Sequence, residues 1–143
     1  MAAKLYGQFL KSLANKEIDL DTDVLKAMLC TSAYTPDQDA HQYKSSVTGE
    51  VVGTGYTAGG ATLTAVTVVY NAGTNTLTLD FGDPSWAAST ITARYIVFYD
   101  STPATDAARP LIGWDDFTTD QISSAGAFTY TVNAAGFATI TVA

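Results

Sequence analysis

Between residues 76 and 81 the side chains alternate, with Leu77, Leu79 and Phe81 on one face and Thr76, Thr78 and Asp80 on the other. That period of two predicts a half-buried strand. The same reading extends over nearly everything after Asp23. Residues 24–31 form a mostly apolar run, and residues 63–70 are rich in the Thr and Val that suit a pleated surface. The five residues Asn71-Ala72-Gly73-Thr74-Asn75 then join 63–70 to 76–81 with hairpin chemistry. Residues 91–99 are apolar on both faces apart from Thr92 and Arg94, the pattern of a central strand covered on both sides. Residues 111–117 and 127–132 read as further strands. Asn133-Ala134-Ala135-Gly136 then turns the chain into 137–142 as a second hairpin. At least seven short strands separated by turn signals predict a mainly β protein, an antiparallel β-sandwich or jelly-roll-like domain.

One segment has a different period. Over residues 4–13, Leu5, Tyr6, Phe9, Leu10 and Leu13 share one helical face while Lys4, Gln8, Lys11 and Ser12 share the other. Asn15 and Lys16 supply stop signals. A short amphipathic helix is expected within an N-terminal segment, residues 1–20. Two stretches carry no period, 32–61 and 100–109. The first is longer than loops in compact domains usually are, which marks it as functional or interface-forming. Its polar residues Pro36, Asp37, Gln38 and Asp39 are interleaved with the apolar anchors Tyr34, Tyr43, Val47 and Tyr56. At 143 residues the whole chain, 1–143, reads as a single domain.

Composition narrows the function. Only 15% of residues are charged, with a net charge of -7 and no cluster of Lys or Arg, which argues against a nucleic-acid partner. An acidic surface suits solubility or docking on a basic protein surface. No apolar run reaches membrane-spanning length and the N-terminus lacks a signal-peptide core, so a soluble protein made in the cytoplasm, with no membrane partner, is expected. Cys30 is the only cysteine, which leaves neither an internal disulfide nor a cysteine zinc site; beside Met28 and Leu29 it reads as a small buried hydrophobe.

Candidate chemistry is present only as imitations. Gly53-x-Gly55-x-x-Ala58 after Val51-Val52 imitates a dinucleotide loop, but a Thr/Val-rich strand follows where a helix N-terminus would have to hold the phosphates. Its glycines are therefore read as a backbone requirement. Asp19-x-Asp21-x-Asp23 imitates the start of a calcium loop, yet the sixth position is Val24 and the twelfth Cys30. In an extended segment the three carboxylates would share one face as a solvated acidic edge; a weak calcium site formed with other residues is the competing reading. His41 is the only histidine and lacks a nucleophile motif nearby. Asp115-Asp116, adjacent on a strand, point to opposite faces, which is wrong for an acid pair flanking one bond. Trp86 and Trp114 could stack on a sugar, although core or interface anchoring is the commoner use. These residues point to no catalytic group, no metal site and no cofactor. A small hydrolase built on His41 with Asp115 or Asp116 is carried as the enzymatic competitor.

A resemblance adds to this. Leu-Tyr-Gly-Gln-Phe-Leu-Lys-Ser-Leu (5–13) and the run from Ile18 to Asp39 resemble the opening of small tailed-phage virion proteins. The likeness continues through 53–63, 89–95, Pro-Leu-Ile-Gly-Trp-Asp-Asp-Phe (110–117) and the closing Phe-Thr-Tyr-Thr-Val…Gly-Phe segment, and so covers almost the whole chain. It implies a non-enzymatic capsid decoration (cement) protein on the outer capsid surface of the virion. Such a protein binds the major capsid protein between capsomers and stabilises the shell, usually as a homotrimer. The alternative is a phage tail, fibre or host-attachment component with a carbohydrate-binding β-sandwich. Leu5, Phe9, Leu10 and Leu13 on the helix and Tyr34, Tyr43 and Tyr56 in the long loop are the candidate contacts with the shell or a sister subunit.

Overall fold

A computed structural model describes residues 3–143. The chain begins with β1 (Lys4–Leu5), α1 (Gly7–Ala14), β2 (Leu25–Cys30), β3 (Ala61–Thr62), β4 (Thr67–Asn71) and β5 (Thr76–Asp80). It continues with β6 (Ser85–Asp100), β7 (Leu111–Thr129) and β8 (Ala138–Thr141). Two antiparallel sheets form, a five-stranded one in the order β1-β7-β6-β2-β3 and a three-stranded one in the order β4-β5-β8. They face each other across an aromatic core: the Phe98 ring on β6 lies 5.2 Å from Phe81 and 4.6 Å from Phe137. The mainly β sandwich with one short helix is thus the architecture expected from the alternation.

The elements differ from expectation in three places, each for a physical reason. Lys4 and Leu5 are not helical; they pair with Trp114 and Gly113, and α1 starts only at Gly7. The helix stops where Asn15 and Lys16 predicted, with Lys16 in the left-handed region at φ 59° and the Asn15 and Lys16 N–H groups closing on Lys11 and Leu13 carbonyls. The strands read at 111–117 and 127–132 are one strand, β7, which pairs with the equally continuous β6. Its polar middle, Thr118-Thr119-Asp120, is a bulge rather than a turn. Register jumps from Ala93↔Gln121 to Tyr95↔Asp116, and Thr118 sits at φ 64°. A second bulge lies near Ala125, φ 50°, between Ser89↔Gly126 and Ile91↔Ser123. Finally, the second hairpin does not form. After Gly136 the chain crosses to the other sheet, and β8 pairs with β5 instead of β7, Leu77 opposite Ile140. The first hairpin, β4–β5, forms in the expected register with Asn71 opposite Thr76.

Helix α1 lies over the small sheet. Leu5, Phe9 and Leu13 close a small apolar cavity against Leu77, Leu79, Ala138 and Ile140. Leu10 apart, the apolar face of the helix is consumed inside its own chain.

Candidate interaction surface

The 49–60 segment is held by its own carboxylate. Gly49 adopts φ 64° and delivers Glu50 opposite Cys30, with the Val51 N–H donating to the Leu29 carbonyl. The Glu50 side chain turns inward, where its Oε1 accepts the Tyr56 hydroxyl at 2.9 Å and the Gly59 N–H. Tyr56 in turn accepts the Leu29 N–H at 3.0 Å, and Tyr99 donates to the Gly59 carbonyl at 2.7 Å. Burial and, to a lesser degree, the Glu50 charge raise both phenols, Tyr99 to about 12, so both remain hydroxyl donors at neutral pH. The Tyr56 ring stacks on Trp86 at 5.9 Å. Two glycines permit contacts no side chain allows: a Cβ on Gly60 would meet the Ala27 carbonyl oxygen at 1.9 Å, and one on Gly53 the Thr90 oxygen at 2.5 Å. The Gly59 N–H of this segment is already taken by the Glu50 carboxylate. Strand β3, not a helix, follows, so the nucleotide-loop imitation ends here.

This anchoring splits the Val51-Val52 pair. Val51 is buried, whereas Val52 is 96% exposed. Beyond it, Thr54 bridges to Thr90 on β6, and Thr92 pairs with Ile122 on β7, itself 73% exposed. Thr31, Val52, Thr90, Thr92 and Ile122 frame a shallow depression whose lining contains no charged side chain. The floor is rigid: the Ser89 and Ser123 hydroxyls, both buried, bond at 2.7 Å. Covering aliphatic and hydroxyl groups requires less desolvation than covering charge, and depletion of charge is the compositional mark of interface centres. The lining offers aliphatic and hydroxyl groups and no charged or imidazole side chain.

The anticipated contact residues lie elsewhere. Phe9 and Tyr34 are core residues, 2% and 1% exposed, and so make no external contact. Leu5 and Leu13 are half-buried against the core, and Tyr56 is occupied by Glu50 and Trp86. Tyr43 donates to Glu17 Oε2 at 3.1 Å in a network with Gln42 and the fully buried Ser12. Leu10 alone of the seven presents a largely exposed side chain, at 49%.

Trp86 and Trp114 are buried in the core, and neither offers a stacking platform to a sugar. His41 Nδ1 lies 2.9 Å from the Tyr34 hydroxyl, which also meets Tyr6 at 2.8 Å. Asp115 instead accepts the Tyr130 hydroxyl at 3.0 Å, and Asp116 holds Arg94 at 2.7 Å, so the proposed His–Asp pairing is not assembled. The two neighbouring carboxylates do diverge as the strand geometry required. Cys30 is fully buried and burial pushes its thiol up to about 12, which leaves it inert as a nucleophile. Asp19, Asp21 and Asp23 are not extended; they form a turn in which Asp19 Oδ1 accepts the Asp21 N–H and Asp23 Oδ2 the Asp19 N–H.

Sequence reasoning missed Val52 and Ile122. A signal for Ile122 existed, a lone large aliphatic in the polar run 118–124. Val52 carried none, because Val51-Val52 reads as one apolar pair. In comparisons with known proteins, no family model, no curated protein and no solved structure matches this chain.

Proposed function

We propose that the chain is a non-enzymatic virion structural protein of tailed phages that decorates the head. It binds the outer capsid surface between capsomers and stabilises the shell, self-associating as a homotrimer. The reading starts from the resemblance of the sequence to small tailed-phage virion proteins. The observation that carries it is the uncharged Val52–Ile122 face, rigidly mounted on a β body. A decoration protein acts by mass action, since binding only the assembled lattice favours that lattice. It therefore needs a preformed contact face more than a reactive centre, and a face fixed by Glu50, Tyr56 and Tyr99 loses little conformational freedom on docking.

The test is binding of the purified chain to capsids that lack it, together with its copy number in purified virions. A copy number comparable with the major capsid protein is expected. The double variant Val52→Asp, Ile122→Asp is expected to lower capsid affinity roughly tenfold or more, since each exposed aliphatic contributes about 1 kcal/mol when covered. Its thermal midpoint should stay near wild type, because both side chains are already in water. A copy number in the single digits or low tens would place the protein in the tail instead, and undiminished capsid binding by the variant would remove the Val52–Ile122 face from the contact.

A further inference from the structure

Strand β6 ends on an aspartate that lies wholly inside the protein. Asp100 is 0% exposed; its Oδ1 accepts the Thr102 N–H at 2.8 Å, while its Oδ2 has no hydrogen-bond partner. The Asp23 carboxyl lies within hydrogen-bond reach of it. The two are brought together by a tight seam: Val24 N–H donates to Thr102 Oγ1 at 2.8 Å, and the Ser101 hydroxyl and N–H both donate to the Val24 carbonyl. The three ion pairs among the described residues are Lys44–Asp106, Arg94–Asp116 and Arg109–Asp106, and none of them reaches this corner.

A desolvated carboxylate whose Oδ2 faces a second carboxylate with neither a donor nor a cationic side chain at that oxygen is not stable as it stands. Either a proton or a cation has to lie between them. We propose that Asp23 and Asp100 hold a calcium ion that clamps the 19–24 turn to the end of β6, with Thr102 Oγ1 and water completing an all-oxygen shell. The donor set selects the metal class, because hard oxygen ligands without nitrogen or sulfur favour calcium over zinc or copper. The irregular mixture of carboxylate, hydroxyl and water suits the flexible coordination of calcium better than the strict octahedron of magnesium. Among the described residues no three acidic, histidine or cysteine side chains gather at one point, so the site belongs with the weaker, millimolar class. The Asp-x-Asp-x-Asp run thus contributes one ligand, Asp23, and the partner carboxylate comes from a strand end far along the chain.

The experiment is thermal unfolding of the full chain at pH 7.5 in EDTA, in about 20 mM calcium and in about 20 mM magnesium, concentrations well above a millimolar dissociation constant, paired with calorimetric titration of calcium. Calcium is expected to raise the wild-type midpoint by several degrees and to give a one-site isotherm, with magnesium weaker. Asp100→Asn and Asp23→Asn are both expected to lose the calcium response. Asp100→Asn should fold well without metal, because its carboxamide oxygen can accept from Thr102 while its NH2 donates to Asp23. A wild-type midpoint indifferent to calcium, with no titration heat, overturns the proposal. So does a metal-independent rise of the midpoint on acidification to pH 5.5, which would mean that the pair shares a proton instead. Retention of the full calcium response by both variants overturns it as well.

Discussion

Gly59 and Gly60 are adjacent, both lie in the left-handed region (φ 91° and 78°), and yet replacing them by alanine has different consequences. At Gly59 the new methyl would find only the Tyr99 hydroxyl at 3.4 Å and Lys26 Nζ at 3.9 Å, ordinary contact distances. Gly59→Ala should therefore cost about 1–2 kcal/mol, the left-handed penalty alone. At Gly60 the methyl would lie 1.9 Å from the Ala27 oxygen and 2.7 Å from the Met28 Cα, both backbone atoms of the interior strand β2. Neither can rotate away, so the chain must withdraw from β2, straining the Leu63 N–H to Leu25 bond and the pairing of Ala27 with Ala61. Overpacking of this kind adds about 1–3 kcal/mol, which puts Gly60→Ala at about 2–5 kcal/mol in total. The entropy that alanine removes from the unfolded chain is common to both variants and cancels in the comparison. Equilibrium urea unfolding resolves the difference, since about 2 kcal/mol corresponds to roughly 1 M in midpoint at an ordinary slope. Equal costs for the two variants within about 0.5 kcal/mol would refute the close approach of the loop to β2.

Two further outcomes follow from the hydrogen-bond and charge arrangement. The Arg94 hydrogen bond holds the Asp116 carboxyl below the usual range, and Lys44, then Arg109, do the same for Asp106. A carboxylate depressed in the folded state contributes stability above its unfolded pKa and loses it as pH falls through the folded one. Arg94→Met should consequently move the acid-unfolding midpoint, followed by circular dichroism, to higher pH, and an unchanged midpoint would show the pair to be energetically silent. Tyr34→Phe removes the hydroxyl between Tyr6 and His41 and leaves the Tyr6 hydroxyl buried without this partner, at a cost of about 1–3 kcal/mol in chemical denaturation. Adding Tyr6→Phe should recover part of that loss, and strictly additive losses would contradict the shared bond.

The period of two made the strands legible wherever one face meets the core and the other meets water, as in Leu77, Leu79 and Phe81. Residues 111–129 broke the pattern because Thr118 and Ala125 absorb the bulges in left-handed backbone, a conformation that neither residue type advertises. The crossing of β8 to the small sheet was illegible for another reason: a turn signal fixes where the chain reverses, not which strand receives it. The helix period correctly gave an apolar face, but amphipathicity carries no information on whether that face is covered by the same chain or by a partner. Leu77, Leu79 and Ile140 cover it here. The glycine-rich loop could be read as a backbone requirement, whereas the identity of its anchor, Glu50, needed the fold to bring Tyr56 and Gly59 around it.

The pairings that close the two sheets join remote parts of the chain. Lys4 meets Trp114, Leu25 meets Asp100, and Thr76 meets Thr141. Loop entropy is lost before any of these contacts is gained, so folding of this topology belongs to the slow, millisecond-to-second regime of β proteins with distant partners. The local β4–β5 hairpin can form early, but the helix finds its apolar floor only after Ala138 and Ile140 have joined it. Until then Phe9, Leu77 and Leu79 face water together. Any form of the chain in which β8 is undocked leaves this apolar surface uncovered, and so is more exposed to aggregation than the native sandwich.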